Sequence, residues 1–251
     1  MRVVNTAAAA FVLAPALALG SFLNVVVVRV PARRSILFPP SSCGVCATEI
    51  LWRDNVPVVS YFLLRGRCRH CAAPISPFYP VVEVVTAALV VACFAVFGAT
   101  AWATLAAGFC AMLVVLSVID AQHRIVPNRI VVPSAAVALV AHTAIDPSFA
   151  WLLWSLVAAG ALLIGVLAYP RGLGTGEVKL AMLLGAMLGA SVTVAMMIGL
   201  FAALIPSTVL LSRHRASARK MGMPLVPFLS LGAVVALFFG GAILDAYLAL
   251  F

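Results

Sequence analysis

Eight apolar runs, each close to the roughly 20 residues needed to cross the hydrocarbon core of a bilayer, leave this 251-residue chain few ways to fold. They lie at about 7–28, 80–98, 101–119, 131–145, 149–169, 178–190, 192–211 and 224–250. The stretch from Leu180 to Leu211 is too long for one helix, and Gly185, Gly189 and Ser191 offer a place to turn inside it. With 65% hydrophobic and 9% charged residues and a mean hydropathy of +1.20, the chain is no ordinary soluble domain. The expected fold class is an all-α polytopic membrane protein of about eight transmembrane helices with a small cytoplasmic loop domain.

The basic residues test that count independently. Arg29, Arg33, Arg34, Arg53, Arg65, Arg67 and Arg69 lie between the first two runs, Arg124 and Arg129 between the third and fourth, and Arg171 and Lys179 between the fifth and sixth. Arg213, Arg215, Arg219 and Lys220 lie between the last two. With eight spans all four loops face one side, and they hold every lysine and arginine except Arg2. The positive-inside rule makes that side the cytoplasm and puts both termini outside. A net charge of +9 distributed in this way suits anionic lipid headgroups and argues against nucleic acid as a partner. The first run resembles a signal peptide with a small-residue site near Ala16 to Ala18, but it continues past Phe22 and Val28 into a basic cluster. That is a stop-transfer pattern, and an uncleaved first helix is expected.

Three regions follow: residues 1–30 as a first transmembrane helix, 31–79 as a cytoplasmic loop domain, and 80–251 as about seven further helices. The loop is interrupted by six prolines and is too short for a self-sufficient core, so it needs a staple. Cys43-Gly-Val-Cys46 and Cys68-Arg-His-Cys71 supply one. Two such knuckles suit a tetrahedral four-thiolate zinc site, structural because four sulfurs leave no open coordination position. Two disulfides would be the alternative, disfavoured in a reducing cytoplasm. His70 is read as a bystander, and Cys93 and Cys110 as packing residues within apolar runs.

Seven acids remain to be placed, and two stand out. Asp120, in SVIDAQHRIVPN, follows an apolar helix, where its charge opposes the helix dipole and something else must favour it. Glu177, in GLGTGEVKL, opens the next helix on that side, where an acid is commonplace. Opposite helix-end fields would let one carboxyl keep a proton while the other stays ionised, the division of labour a water-activating pair requires. The glycines at 174 and 176 would let backbone approach both the second carboxylate and an extended substrate. Glu49 and Asp54 read as surface groups, Asp146 as a turn residue and Asp245 as a group at the far end of the last run. Glu83 is open between capping its helix and contacting a cofactor.

In this order the motifs resemble those of the bacterial type IV prepilin peptidases, leader peptidases and N-methyltransferases of the GxGD aspartyl protease group. GSFLNVVVVRVP looks like the family's first-helix signature, the paired CxxC loop like its zinc domain, and ISPFYPVVEVVTA like the start of its second helix. IDAQHRIVPN carries the first catalytic aspartate onto Asp120, GTGEVKL lies over the GxGDxKL motif, and MPLVPFLSLG is similar to the closing helix. The resemblance implies cleavage between the leader and the hydrophobic helix of a prepilin or pseudopilin by Asp120 and Glu177, supported by Gly174, Gly176 and Lys179. It places the protein in the bacterial inner membrane with the zinc loop and the catalytic residues on the cytoplasmic side. It also implies methylation of the new N-terminus with S-adenosylmethionine, for which the sequence offers no fingerprint of its own. One position departs: where the family has aspartate, this chain has Glu177. A catalytically impaired member is therefore an alternative reading, and a non-enzymatic transporter or scaffold is another. Transporters commonly carry internal repeats, and none is evident here.

Overall fold

The computed structural model describes residues 6–168, 174–218 and 223–250. Arg2, Arg171, Arg219 and Lys220 of the charge argument lie outside them. Apart from two isolated bridges, regular structure among the described residues is helical: α1 (Thr6–Arg29), α2 (Val59–Leu63), α3 (Phe78–Phe97), α4 (Ala101–His123), α5 (Asn128–Ile145), α6 (Ala150–Ala168), α7 (Thr175–Leu188), α8 (Val192–Ala218) and α9 (Val226–Leu248). Every apolar run is occupied by a helix. The third runs further than its apolar stretch, to His123, so Asp120 lies in the last turn of α4 instead of following it. Among the described residues seven stretches are long and apolar enough to cross a membrane, and one of them, Thr175–Val209, joins α7 to most of α8.

The chain divides into two compact units, Met1–Val115 and Leu116–Phe251. In the first, α1 and α3 run antiparallel in close contact. Asn24 Nδ2 donates to the Tyr79 carbonyl at 3.1 Å, and a Cβ built on Gly20 would meet the Glu83 backbone at 2.7 Å. The GSFLN and YPVVE segments are thus two sides of one helix contact. Cys93 and Cys110 are buried with their sulfurs 3.9 Å apart, as packing residues joining α3 to α4.

In the second unit α7 is the central helix, lying against α5, α6 and α9. Lipid is as apolar as leucine, so helices in a bilayer associate through close packing and hydrogen bonds. Both are present. Gly185 leaves no room for a side chain against Trp154 and Ser155 of α6, and Gly232 of α9 packs directly on the Ala195 carbonyl of α8. Ser155 Oγ donates to the Met182 carbonyl at 2.9 Å, and the His142 ring, stacked on Trp151, reaches the Ala186 carbonyl at 3.0 Å.

At 14 residues α7 rises only about 21 Å, less than a bilayer core. It ends at Gly189, whose φ of +54° is a turn conformation that favours glycine. A single 3-10 turn, Gly189–Ser191, leads into α8. Ser191 lies against Gly240, and Gly199 against Leu229, so α8 runs antiparallel to α9. α7 therefore carries the chain out and α8 carries it back, which makes eight legs from seven continuous apolar stretches.

The close contacts predict a sharp contrast between two alanine substitutions. Gly185→Ala is expected to force α6 from α7 and cost about 1–3 kcal/mol, seen as a lowered unfolding temperature in detergent. Gly160→Ala, with nothing within 4 Å of the new methyl, is expected to leave that temperature unchanged or slightly raised.

Candidate active site and metal centre

The last turn of α4 and the first turns of α7 and α9 meet at one end of the second unit. Asp120 is 5% exposed, and its Oδ2 accepts the backbone N–H of Val226 at 3.1 Å. Val226 is the first residue of α9, whose N-cap Leu225 makes no side-chain cap. The carboxylate therefore caps another helix through space, meeting one of the N–H groups that every helix start leaves unpaired. This is the favourable partner that a negative charge at the end of α4 requires. Arg124, held at a φ of +55° as α4 ends, places a second positive group within electrostatic reach of Asp120.

Glu177 sits at the third position of α7. Gly174, the N-cap, has no side chain to offer, but Glu177 Oε2 reaches back to accept its N–H at 2.6 Å, half of a capping box. Asp120 and Glu177 are close enough to interact electrostatically. Two further contacts fix the start of α7 against the link between α4 and α5. A Cβ on Gly176 would meet Val126 Cβ at 2.8 Å, and Lys179 Nζ donates to Asn128 Oδ1 at 2.7 Å. Thus Gly174, Gly176, Glu177 and Lys179 share one end of the unit with Asp120. Val226 and Asn128 were not singled out from sequence; a backbone N–H carries no sequence signal, while Asn128 stood inside SVIDAQHRIVPN only as part of the motif around Asp120.

In the first unit the four loop cysteines converge. Cys43 and Cys71 sulfurs are 3.8 Å apart, Cys46 and Cys68 sulfurs 4.0 Å, and all four lie within 4.8 Å of one another. The two knuckles repeat one geometry. Cys43 N–H donates to the Thr48 carbonyl and Ala47 N–H to that of Cys43; Cys68 and Ala72 make the same bonds to Ala73 and Cys68. Ala47 and Ala72 both have φ of 55°. Hydrogen bonds from the Thr48 side chain and backbone hold the Cys46 thiol down to about 6. At Cys71 the hydrogen bond from the Ala73 backbone is outweighed by burial and the neighbouring thiols, which push it up to about 11.

His70 is not part of the sulfur cluster. Asp54, read as a surface group, is ion-paired with Arg69 beside the second knuckle at 2.6 and 2.8 Å. The guanidinium holds its carboxyl below the usual range. Glu83 does not cap its own helix, because α3 begins five residues earlier without a side-chain cap. Its Oε2 instead accepts the N–H of Val58 at 2.7 Å.

Residues 15–97 match the Bacterial Peptidase A24 N-terminal domain, and residues 107–212 match the Type IV leader peptidase family. The chain belongs to the type IV leader peptidase family. Relatives named prepilin leader peptidase/N-methyltransferase are 33% identical in Burkholderia pseudomallei (strain 1026b), over 92% of this chain and 85% of that one. In Bacillus subtilis (strain 168) the identity is 31%, over 92% and 94%. In Myxococcus xanthus (strain DK1622) it is 38%, over 72% and 56%. No solved structure matches. The two matched segments divide the candidate site as the fold does, with the cysteine loop in the first and both Asp120 and Glu177 in the second.

The sulfur geometry predicts a bound metal ion in the purified protein. Elemental analysis is expected to find one ion held by the four sulfurs, lost in Cys46→Ser and retained in Cys93→Ala, whose sulfur lies in a separate pair.

Proposed function

We propose that this leader peptidase family member removes the leader from type IV prepilins or pseudopilins at the cytoplasmic face of the bacterial inner membrane, then N-methylates the new N-terminus. The observation that carries the reading is the convergence of Asp120 and Glu177 at one end of a single compact unit, each bonded to a backbone N–H at a helix start. Asp120 and Glu177 are the proposed catalytic pair, with Gly174, Gly176 and Lys179 holding the loop that carries Glu177. One carboxylate takes a proton from water as the oxygen attacks the scissile carbonyl carbon. The other, protonated, donates to the carbonyl oxygen. The proton taken from water then passes to the leaving amine as the C–N bond breaks. As the carbonyl re-forms, a hydroxyl of the tetrahedral intermediate returns a proton to the second carboxylate, so both carboxyls end in their starting protonation state. The substrate's apolar helix stays in lipid while its leader reaches the cytoplasm, which suits a site at a helix-end boundary.

Zinc is the metal that best fits the four cysteines. A tetrahedral site with bonds near 2.3 Å has sulfurs about 3.8 Å apart, and the two sulfur pairs stand at 3.8 and 4.0 Å. Four thiolates saturate the ion and give it a structural role, joining the two knuckles. For methylation, the relatives' name supports S-adenosylmethionine, which would supply an electrophilic methyl to the new N-terminal amine as that amine gives up a proton.

Glu177 is the point of departure from the family pattern. Its carboxylate carries one more methylene than aspartate, and a displacement of about 1 Å can cost on the order of 10²-fold. Leader removal from a prepilin in membranes, followed by mass, tests the pair. Asp120→Asn and Glu177→Gln are expected to lower the rate by about 10²–10⁴-fold, while Glu177→Asp retains or improves it. Cleavage by Glu177→Asp alone would identify an impaired member, and undiminished cleavage by Asp120→Asn would overturn the carboxylate mechanism.

A further inference from the structure

In the first unit the five-residue α2 presents its apolar side outward and its polar side inward. Val59, Phe62 and Leu63, spaced i, i+3 and i+4 on one face, are all exposed, Phe62 at 69% and Leu63 at 77%. Ser60, on the other side, is buried. Its hydroxyl donates to the Arg53 carbonyl at 3.0 Å and accepts the Val56 N–H at 3.0 Å. Those bonds join α2 to the 3-10 turn Trp52–Asp54, where Trp52 is 84% exposed. One exposed apolar residue is ordinary, but several on adjoining elements mark a surface that meets something other than water.

The level of this patch says what it meets. α3 is a candidate span of 20 residues, a rise of about 30 Å, which matches a hydrocarbon core. Glu83 is its sixth residue, about 7.5 Å along the axis from the helix start. Glu83 Oε2 accepts the Val58 N–H at 2.7 Å, and Val58 immediately precedes α2. α2 is thereby tied to a point inside the apolar length of α3 and not to its end. Val58 is held at a φ of 62° as it donates, disfavoured for a β-branched residue, so the loop bends sharply to reach that level. Interfacial helices bury their apolar face about 5–10 Å into the boundary between headgroups and acyl chains, the depth at which Glu83 holds the start of α2. Charge completes the match. Arg65 and Arg67 follow α2 closely, Arg53 adjoins Trp52, all three are exposed, and none takes part in the Asp54–Arg69 ion pair. Arginines beside an interfacial apolar face meet anionic lipid headgroups, and tryptophan favours the same layer.

We propose that the cysteine loop lies on the bilayer, with Trp52, Val59, Phe62 and Leu63 in the interfacial layer and Arg53, Arg65 and Arg67 on anionic phospholipid headgroups. A loop held in this way keeps the four-cysteine centre at the membrane surface, whereas a domain suspended from α1 and α3 by its ends would leave the apolar face of α2 in water.

Tryptophan quenching of the full-length protein in lipid nanodiscs tests this. The contribution of Trp52 is the difference between the parent and Trp52→Phe, read with lipids brominated high on the acyl chain and with aqueous iodide. Trp52 of the parent is expected to lose emission to the brominated lipid and to be shielded from iodide. Phe62→Glu combined with Leu63→Glu, both at exposed positions, is expected to reverse that pattern at an unchanged unfolding temperature. Discs containing phosphatidylglycerol are expected to give more lipid quenching than discs of phosphatidylcholine alone, and Arg65→Gln combined with Arg67→Gln to remove the difference. Iodide quenching of the parent without lipid quenching would place the patch in water and overturn the proposal. Shielding from both quenchers would show it covered by protein, a second copy or another part of the chain, and overturn it equally. Lipid quenching that survives the paired glutamates in a folded variant would take the anchor away from α2, and equal quenching of the parent in the two lipid compositions would take the arginines off the headgroups; either overturns the proposal as stated. Where a variant is destabilised, the two quenchers acting on the parent still decide.

Discussion

The Asp120–Val226 hydrogen bond ties the second unit together at the point where chemistry is proposed. A carboxylate at the C-terminal end of α4 faces the negative end of its own helix dipole, in a region where water is scarce. It is tolerable only if another element supplies positive potential. α9 does so with the unpaired N–H of its first residue, 106 positions later in the chain. That one contact fixes the level of α9 relative to α4. It consequently requires the intervening helices to go out and return, which they do through α7 and α8. The turn at Gly189 is the topological consequence.

Glu177 meets the same constraint by a local device. Reaching back to its own N-cap, it satisfies the start of α7, and the approach of Gly176 to Val126 together with the Lys179–Asn128 bond holds that start against the α4–α5 link. Both carboxylates thus belong to helix starts as well as to each other. A helix N-terminus favours the charged form of an acid that bonds to it, while an apolar environment opposes that form. A pair held between those influences can share a proton unequally without any further cation.

Much of this was legible in the sequence, for identifiable reasons. Helices in a bilayer announce themselves by length and composition, since backbone groups there have no other partner, and each predicted run became a helix. Cys43, Cys46, Cys68 and Cys71 were readable because metal ligation demands a residue type at a spacing. The two carboxylates were readable because acids are scarce in such a chain. What was not readable was whatever depends on backbone. Val226 contributes an N–H that any residue but proline could offer, and Val58 meets Glu83 in the same way. The end of α4 was misplaced by a few residues because Asp120, Gln122 and His123 are polar, and apolarity alone cannot follow a helix past its membrane boundary. The Asp54–Arg69 ion pair was not readable because Arg69 lies fifteen residues away in a loop with no periodicity.

The added methylene at position 177 has a structural counterpart that bears on how a glutamate can stand where the family has aspartate. An extended glutamate would carry its carboxylate away from the helix start by roughly one bond length, about 1.5 Å. In this structure the side chain is curled, with Oε2 2.6 Å from the Gly174 N–H, so part of the extra length is taken up in reaching backwards. Gly174 has no side chain to complete the reciprocal half of a capping box, so the Glu177 carboxylate is the only side-chain cap at this helix start. A curled glutamate fixes one oxygen on the backbone, whereas a shorter aspartate relies on the backbone alone to aim it. The glutamate and its glycine N-cap are therefore best regarded as one unit, and the orientation of the carboxylate depends on the loop that precedes it as much as on the length of the side chain.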